Sequence, residues 1–188
     1  DNGKDSNEQL NLVIPSEPPS LNPQKATDST SGAILRSVFE GLTRVDKDGN
    51  VQPAAAEKID VSDDKLTYTF TLRDSKWSNG DTVTAGDFKY AWMYALDPKN
   101  ASEYASILYP IKGAQAFNEG KGKDSDVGIT VKDDKTLVVK LENPTPYFTE
   151  ITAFYTAMPV NEKEAKKNAK WSAEGGKGYV SNGPFTLS

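Results

Sequence analysis

Clustered acidic residues are the side chains here with the most direct chemical use, because neighbouring carboxylates can bind a metal ion or form a catalytic pair. Three clusters occur, and they are Asp63-Asp64, Asp124 with Asp126, and Asp133-Asp134. None has the internal glycine and the terminal glutamate that a calcium-binding EF-hand loop requires. Aspartate is also a residue that turns favour. We therefore predict that these clusters form turns and that they hold no metal.

A further acidic pair, Glu57 and Asp60, has the residue types of a glycoside hydrolase site. Such a pair works only where its surroundings separate the two pKa values, and the neighbouring residues offer no such surroundings. The chain contains no Cys and no His, which excludes a Ser-His-Asp triad, a thiolate nucleophile and a His/Cys zinc site within it. We predict that the protein is not an enzyme and has no cofactor; a carboxylate-based hydrolase is the weakest alternative.

The composition is that of a chain able to form a core. Of its 188 residues, 36% are hydrophobic and 10% aromatic, which is enough for one domain or for a small domain with part of another. The formal net charge is -5 and no basic stripe occurs, so we predict no nucleic-acid partner. No apolar run approaches the ~20 residues that a membrane-spanning helix needs.

Strand and helix patterns follow one another along the chain. Apolar residues alternate with Thr over 66–72, which predicts a half-buried antiparallel strand. Thr84 followed by Asp87 predicts the start of a helix that runs to about Leu96, where Asp97-Pro98 ends it. The remaining patterns predict strands over 10–14, 127–131 and 136–141, helices over 31–40, 102–108, 114–117, 147–154 and 161–170, and a hairpin turn at Asp48-Gly49.

Trp77 begins the sequence WSNGD, which has the residue types of an aromatic ligand-binding loop. A simpler interpretation is a turn between a strand and a helix, with the indole packed in the core. Asn79-Gly80 is explained by turn chemistry, and Trp is commonly buried. We favour the turn.

Several segments together resemble the extracytoplasmic oligopeptide-binding proteins of ABC importers. Their order and spacing agree with that family across essentially the whole chain after residue 9. They are SEPPSLNP at 16–23, VFEGL at 38–42, YTFTLR at 68–73, KWSNGD at 76–81, VTAGDF at 83–88, YAW at 90–92, LDP at 96–98, ASEYA at 101–105, PTPYF at 144–148 and SNGPF at 181–185.

The resemblance implies an α/β fold of the periplasmic-binding-protein-like type II, in which two large lobes close over a ligand and a smaller domain is inserted early in the first lobe. The inserted domain is expected to be α+β, with a mostly antiparallel sheet. The implied organisation is a disordered tail over 1–8, the first segment of lobe I over 9–41, the inserted domain over 42–160, and the start of the return to lobe I over 161–188. The strand pattern around Phe185 and Leu187 has no element after it, so we expect a fragment of a longer chain.

The resemblance also implies candidate ligand-binding residues. Tyr104 corresponds to a tyrosine that lines the ligand chamber in the family, and its small neighbours Ala101, Ser102 and Ala105 would leave its ring accessible. A Tyr that caps a helix in the core is an equal alternative. Thr27, Asp28 and Ser29 occupy a loop that borders the ligand in relatives, where Asp28 could pair with a peptide's positive N-terminus. A simple Asx turn is the alternative there.

The implied function is binding of an oligopeptide and its delivery to a membrane ABC permease by lobe closure. The resemblance further implies a monomer on the outer face of the cell membrane, held by a lipid anchor upstream of residue 1, in the style of a Gram-positive lipoprotein. A surface protein-interaction module is the main alternative, and a large exposed apolar patch on the inserted domain would favour it.

Overall fold

A computed structural model describes residues 40–154 and 157–167. The strands predicted over 10–14 and at the end of the chain lie outside these residues, as do Thr27, Asp28 and Ser29. The helix predicted over 31–40 lies outside them except for its last residue.

A four-stranded antiparallel sheet is the main element of the described residues. It consists of β3 (Ala56–Val61), β4 (Thr67–Leu72), β5 (Ile129–Asp133) and β6 (Thr136–Lys140), in the order β3-β4-β6-β5. β4 lies inside the sheet, and its Tyr68, Phe70 and Leu72 are buried while its three Thr residues are half-buried. Phe70 lies opposite Leu137 of β6, which is also fully buried. The alternation in the sequence therefore predicted β4 and its core face correctly.

The edge strand β3 was not predicted from the sequence. Its side chains Glu57, Lys58 and Asp60 are exposed, and the register shifts between Ala56 and Lys58. Charged side chains and irregular pairing are common on edge strands, where they discourage pairing with other chains. They also remove the apolar alternation by which a strand is recognised in a sequence.

A two-stranded hairpin precedes the sheet. It joins β1 (Thr43–Val45) to β2 (Val51–Pro53) through the predicted turn, in which Gly49 has a φ of 82°. The Asp46 carboxylate accepts hydrogen bonds from the backbone N–H groups of Asp48 and Asn50, both at 2.9 Å. These bonds lower the pKa of Asp46 and fix the turn.

The helix α1 (Ala85–Leu96) packs on the sheet and has the predicted capping box. Thr84 is its N-cap, and the Asp87 carboxylate accepts from the Thr84 N–H at 3.0 Å. The predicted inward residues Phe88, Ala91, Trp92, Ala95 and Leu96 are all fully buried. Asp97 ends the helix, and its carboxylate accepts from Lys99 N at 3.0 Å.

Short helices complete the described part. They are α2 (Ala114–Asn118), α3 (Phe148–Ile151), α4 (Glu162–Lys167) and the 3-10 turns Pro98–Asn100, Ala105–Leu108 and Asp124–Asp126. The helices predicted over 102–108 and 147–154 are present in shorter form, the first of them as a 3-10 turn. The one predicted over 114–117 is one residue longer, and α4 covers 162–167 of the one predicted over 161–170. Among the described residues, no helix is long and apolar enough to span a membrane.

The chain leaves this region beside the point where it enters. Thr43 on β1 donates a hydrogen bond to the carbonyl of Thr149 at 2.6 Å, and its hydroxyl lies 2.7 Å from that of Thr152. Both hydroxyl-bearing side chains are buried, at 1% and 0% exposure. The incoming strand and the outgoing segment therefore form one neck, defined by Thr43, Thr149 and Thr152.

Candidate functional site

Tyr104 lies immediately before the 3-10 turn Ala105–Leu108. Its side chain is half-buried and packs against the hydrophobic core. The ring meets that of Phe154 edge to face, with centroids 5.8 Å apart and planes at 88°. Ala101 is exposed and Ala105 is buried, so the small neighbours open only one side of the ring. Tyr104 is thus a half-accessible ring that is held in place by a second aromatic residue.

Phe154 also lines a cleft of ≈ 820 Å³. Its walls combine four charged side chains with apolar and small ones. Its lining residues are Glu40, Gly41, Thr43, Arg44, Val45, Pro53, Ala54, Arg73, Glu150, Ala153, Phe154 and Met158. Phe154 is therefore the residue that joins Tyr104 to this cleft.

An ion pair fixes one wall of the cleft. Nη2 of Arg73 lies 2.7 Å from both carboxylate oxygens of Glu40, which is 33 residues away in the sequence. Nε of Arg73 donates to the carbonyl of Ala54 at 3.3 Å. The pair therefore holds β4 against the segment that leads into β1. Each residue stands in one of the sequence blocks quoted above, but nothing in the sequence indicated that they meet.

Thr27, Asp28 and Ser29 are outside the described residues, so the structure does not test whether they lie near Tyr104. Their role and that of Tyr104 in ligand binding stay predictions.

Trp77 has the position predicted for a turn. The indole is 2% exposed, and Nε1 donates to Oδ2 of Asp87 at 2.8 Å. An indole that is buried and hydrogen-bonded in this way presents no face to a ligand. The interpretation as a core residue is confirmed.

The acidic clusters are explained by turns, as predicted. Asp64 accepts from the Ser62 hydroxyl and the Leu66 N–H, and these bonds lower its pKa. Asp133 accepts from the Lys135 N–H, which lowers its pKa as well. Within residues 40–154 and 157–167, no group of three or more acidic side chains is arranged to hold a metal ion.

The pair suggested for hydrolysis lies on the exposed side of β3. Glu57 and Asp60 are both exposed, and Asp60 pairs with Lys58 at 3.5 Å. An enzyme's general acid needs a site that excludes water and raises its pKa. The exposed edge strand provides no such enclosure for either residue.

Comparison with known proteins defines the class. The family of bacterial extracellular solute-binding proteins, family 5 Middle, matches residues 50–188, so the chain belongs to this family. The oligopeptide-binding protein OppA of Bacillus subtilis is 59% identical over 180 residues, which are 95% of this chain and 33% of that protein. The dipeptide-binding protein DppE of the same organism is 48% identical over 190 residues, covering 100% of this chain and 35% of its own length.

Solved structures agree with this assignment. The substrate-binding domain of an oligopeptide ABC transporter from Bacillus anthracis superposes with a TM-score of 0.88 at 45% identity, over 97% of this chain and 35% of that one. Listeria monocytogenes OppA bound to peptide gives a TM-score of 0.89 at 39% identity, over 97% and 36%. The fold is thus the predicted mixed one, part of a periplasmic-binding-protein-like structure, and the chain spans about a third of the length of these relatives.

Proposed function

We propose that the complete protein binds oligopeptides outside the cytoplasm and delivers them to a membrane ABC importer. The observation that carries this proposal is the agreement with Listeria monocytogenes OppA bound to peptide, over 97% of this chain. The 59% identity with the oligopeptide-binding protein of Bacillus subtilis supports the same ligand class.

In this proposal, a peptide lies between two lobes, and the described residues belong mainly to the domain inserted in the first one. Main-chain hydrogen bonds hold the extended peptide, and water-filled pockets accept different side chains. Tyr104, held by Phe154, contributes an aromatic wall, and Thr27, Asp28 and Ser29 contribute the loop near the peptide's N-terminus. Closure of the lobes is the change that the importer recognises.

The protein acts as a monomer at the outer face of the membrane, attached by a lipid upstream of residue 1, and it catalyses no reaction. Within the described residues, the large exposed hydrophobic side chains are Val45 on β1, Val61 on β3 and Tyr147 just before α3, so no single element presents the apolar face that would favour the interaction-module alternative.

Titration calorimetry with a peptide pool tests the proposal on two samples, the protein at the full length of its relatives and this 188-residue chain. We expect the longer protein to bind and this chain to bind weakly or not at all, because in this proposal the second lobe and much of the first, which form most of the chamber, are outside these residues. Tight binding by the 188-residue chain would contradict this view of the chamber.

The role of Tyr104 is tested in the longer protein. We expect Tyr104→Ala to weaken peptide binding by roughly tenfold, which corresponds to about 1.4 kcal/mol, because an aromatic contact is lost. Tyr109→Ala is the matched control, since Tyr109 is also a half-buried tyrosine of this region but bonds Asn118 through its hydroxyl. Equal effects of the two substitutions would exclude Tyr104 as a ligand-binding residue.

A further inference from the structure

Asp87 is a buried carboxylate with three donors. Its Oδ2 accepts from Nε1 of Trp77 at 2.8 Å and from the Thr84 N–H at 3.0 Å, and its Oδ1 accepts from the Glu162 N–H at 3.1 Å. The side chain is 6% exposed. Both oxygens are therefore used, and they connect three separate segments.

Two helix starts share this one carboxylate. Asp87 is the third residue of α1 and closes the capping box there. Glu162 is the first residue of α4, 75 residues further along the chain. Asn161 caps the same helix by accepting from the Glu164 N–H at 3.2 Å. A negative charge at the start of a helix is favourable, and here a single charge serves two helices.

Further contacts hold residues 157–167 on the same surface. Nε1 of Trp92 donates to the Ala157 carbonyl at 2.7 Å, and Nδ2 of Asn161 donates to Oδ2 of Asp81 at 3.0 Å. Lys166 lies 5.7 Å from the centroid of the Tyr90 ring. All these partners belong to α1 or to the turn at 77–81. We call the contacts of Asp81, Asp87 and Trp92 with this segment the joint.

The joint lies where the chain passes from the proposed inserted domain, 42–160, to the proposed return to lobe I. Tyr104 belongs to the inserted domain, whereas a peptide lies between the lobes. Tyr104 can reach the peptide only if the inserted domain keeps a fixed orientation to the segment that follows it. The contacts that join the starts of α1 and α4 and the bond from the buried Trp92 indole are suited to fix the orientation of this domain relative to the segment that follows it.

We propose that Asp87 is a positioning residue for peptide binding, which holds the departing segment against α1 and so keeps Tyr104 aligned with the ligand. The alignment of Tyr104 with the ligand rests on the proposed function, whereas the attachment of the departing segment to α1 stands on the geometry alone. The buried position of the carboxylate, between donors from Trp77, Thr84 and Glu162, is the observation on which it depends.

Asp87→Asn in the full-length protein tests the joint by hydrogen exchange. An amide has one acceptor oxygen and a donating nitrogen, so it cannot accept from N–H groups on both sides. Asp97→Asn is the matched control, because Asp97 caps the turn at the opposite end of α1 and bonds Lys99 N. We expect exchange at the amides of 160–165 to rise in Asp87→Asn by at least roughly tenfold more than exchange at the core amides of β4 and β6, which reports any global loss of stability. In Asp97→Asn we expect no such difference between 160–165 and the core amides.

Peptide affinity tests the link to Tyr104. We expect Asp87→Asn to raise the peptide Kd several-fold, and Asp87→Asn added to Tyr104→Ala to cause no further loss, since both act through the same contact. If Asp87→Asn does not fold, Asn161→Ala opens the joint from the other side, with the same expected exchange and affinity changes.

Exchange at 160–165 that is equal in Asp87→Asn and Asp97→Asn would overturn the joint. Additive losses in the double variant, or an unchanged Kd beside raised exchange, would overturn the link to peptide binding. A wild-type protein that binds no peptide would instead overturn the proposed function, and the exchange result would still decide whether the joint exists.

Discussion

Burial raises the pKa of Asp87, while hydrogen bonds from Trp77, Thr84 and Glu162 offset part of the rise and the charge of Glu162 adds to it. The folded state therefore binds a proton at Asp87 more tightly than the unfolded state does, in which the pKa is near 3.8. Stability from this group is fully present below that ordinary value and is lost as the pH rises through the raised one. The carboxylate is thus kept for its contacts at a cost in stability near neutral pH.

Urea unfolding of the wild type and of Asp87→Asn at a series of pH values shows whether the stability contributed by Asp87 falls as the pH rises. Asparagine does not titrate, so the difference in the free energy of unfolding between the two proteins reports Asp87 alone. We expect the substitution to be more destabilising at about pH 4 than at about pH 7. A destabilisation that grows toward neutral pH would mean that the three hydrogen bonds outweigh burial.

Among the elements, α2 depends on a glycine that has no room for a side chain. Gly113 has a φ of 74°, and a Cβ built on it would collide with the carbonyl oxygen of Asp126. Gly120, just beyond the same helix, has a nearly identical φ of 76° but no atom within 4 Å of its Cβ position. The two glycines therefore separate the cost of backbone conformation from the cost of a steric clash.

We expect Gly120→Ala to lower the free energy of unfolding by about 1 kcal/mol, the cost of a left-handed conformation for a residue with a Cβ. Gly113→Ala should lower it by at least about 3 kcal/mol, because the loop that carries Asp126 must also move. Urea unfolding of both variants measures the difference. Equal losses would show that this loop shifts without cost.

The elements also show what the sequence could predict. β4 and α1 were predicted because their apolar residues recur with the period of a strand and of a helix. β3 was missed because Glu57, Lys58 and Asp60 give an edge strand an exposed, charged pattern. The capping box of Asp87 was predicted because it is local, whereas its bond to Glu162 spans 75 residues. The pairing of Arg73 with Glu40 was missed because the two residues are 33 positions apart in the sequence.

At the scale of the whole molecule, the described residues contain a complete core. The helix α1 packs against β5 and β6, its buried side chains belong to the same core as those of β4, and Trp92 bonds the outgoing segment at Ala157. The neck brings both connections of this region to one place. A region with its own core and with both connections in one place is expected to fold by itself.

We expect a piece made of residues 40–167 to unfold in urea as a single two-state transition. Its two tryptophans, Trp77 and Trp92, are both buried, so their fluorescence reports the core. Far-UV circular dichroism reports the sheet and helices independently, and coincidence of the two curves is the measurement. Separate transitions would place part of this core's stability in the rest of the protein.

The neck of Thr43, Thr149 and Thr152 has a further consequence for how such a protein changes over generations. Because the hydroxyls of Thr43 and Thr152 lie within hydrogen-bond distance of each other, residues 44–151 form a loop whose two ends meet at the neck. A gene segment that encodes such a loop can be lengthened, shortened or exchanged while the two chain connections at its ends stay where they were. Such changes would leave the neighbouring parts of the chain in place as long as Thr43 keeps its hydrogen bonds with Thr149 and Thr152.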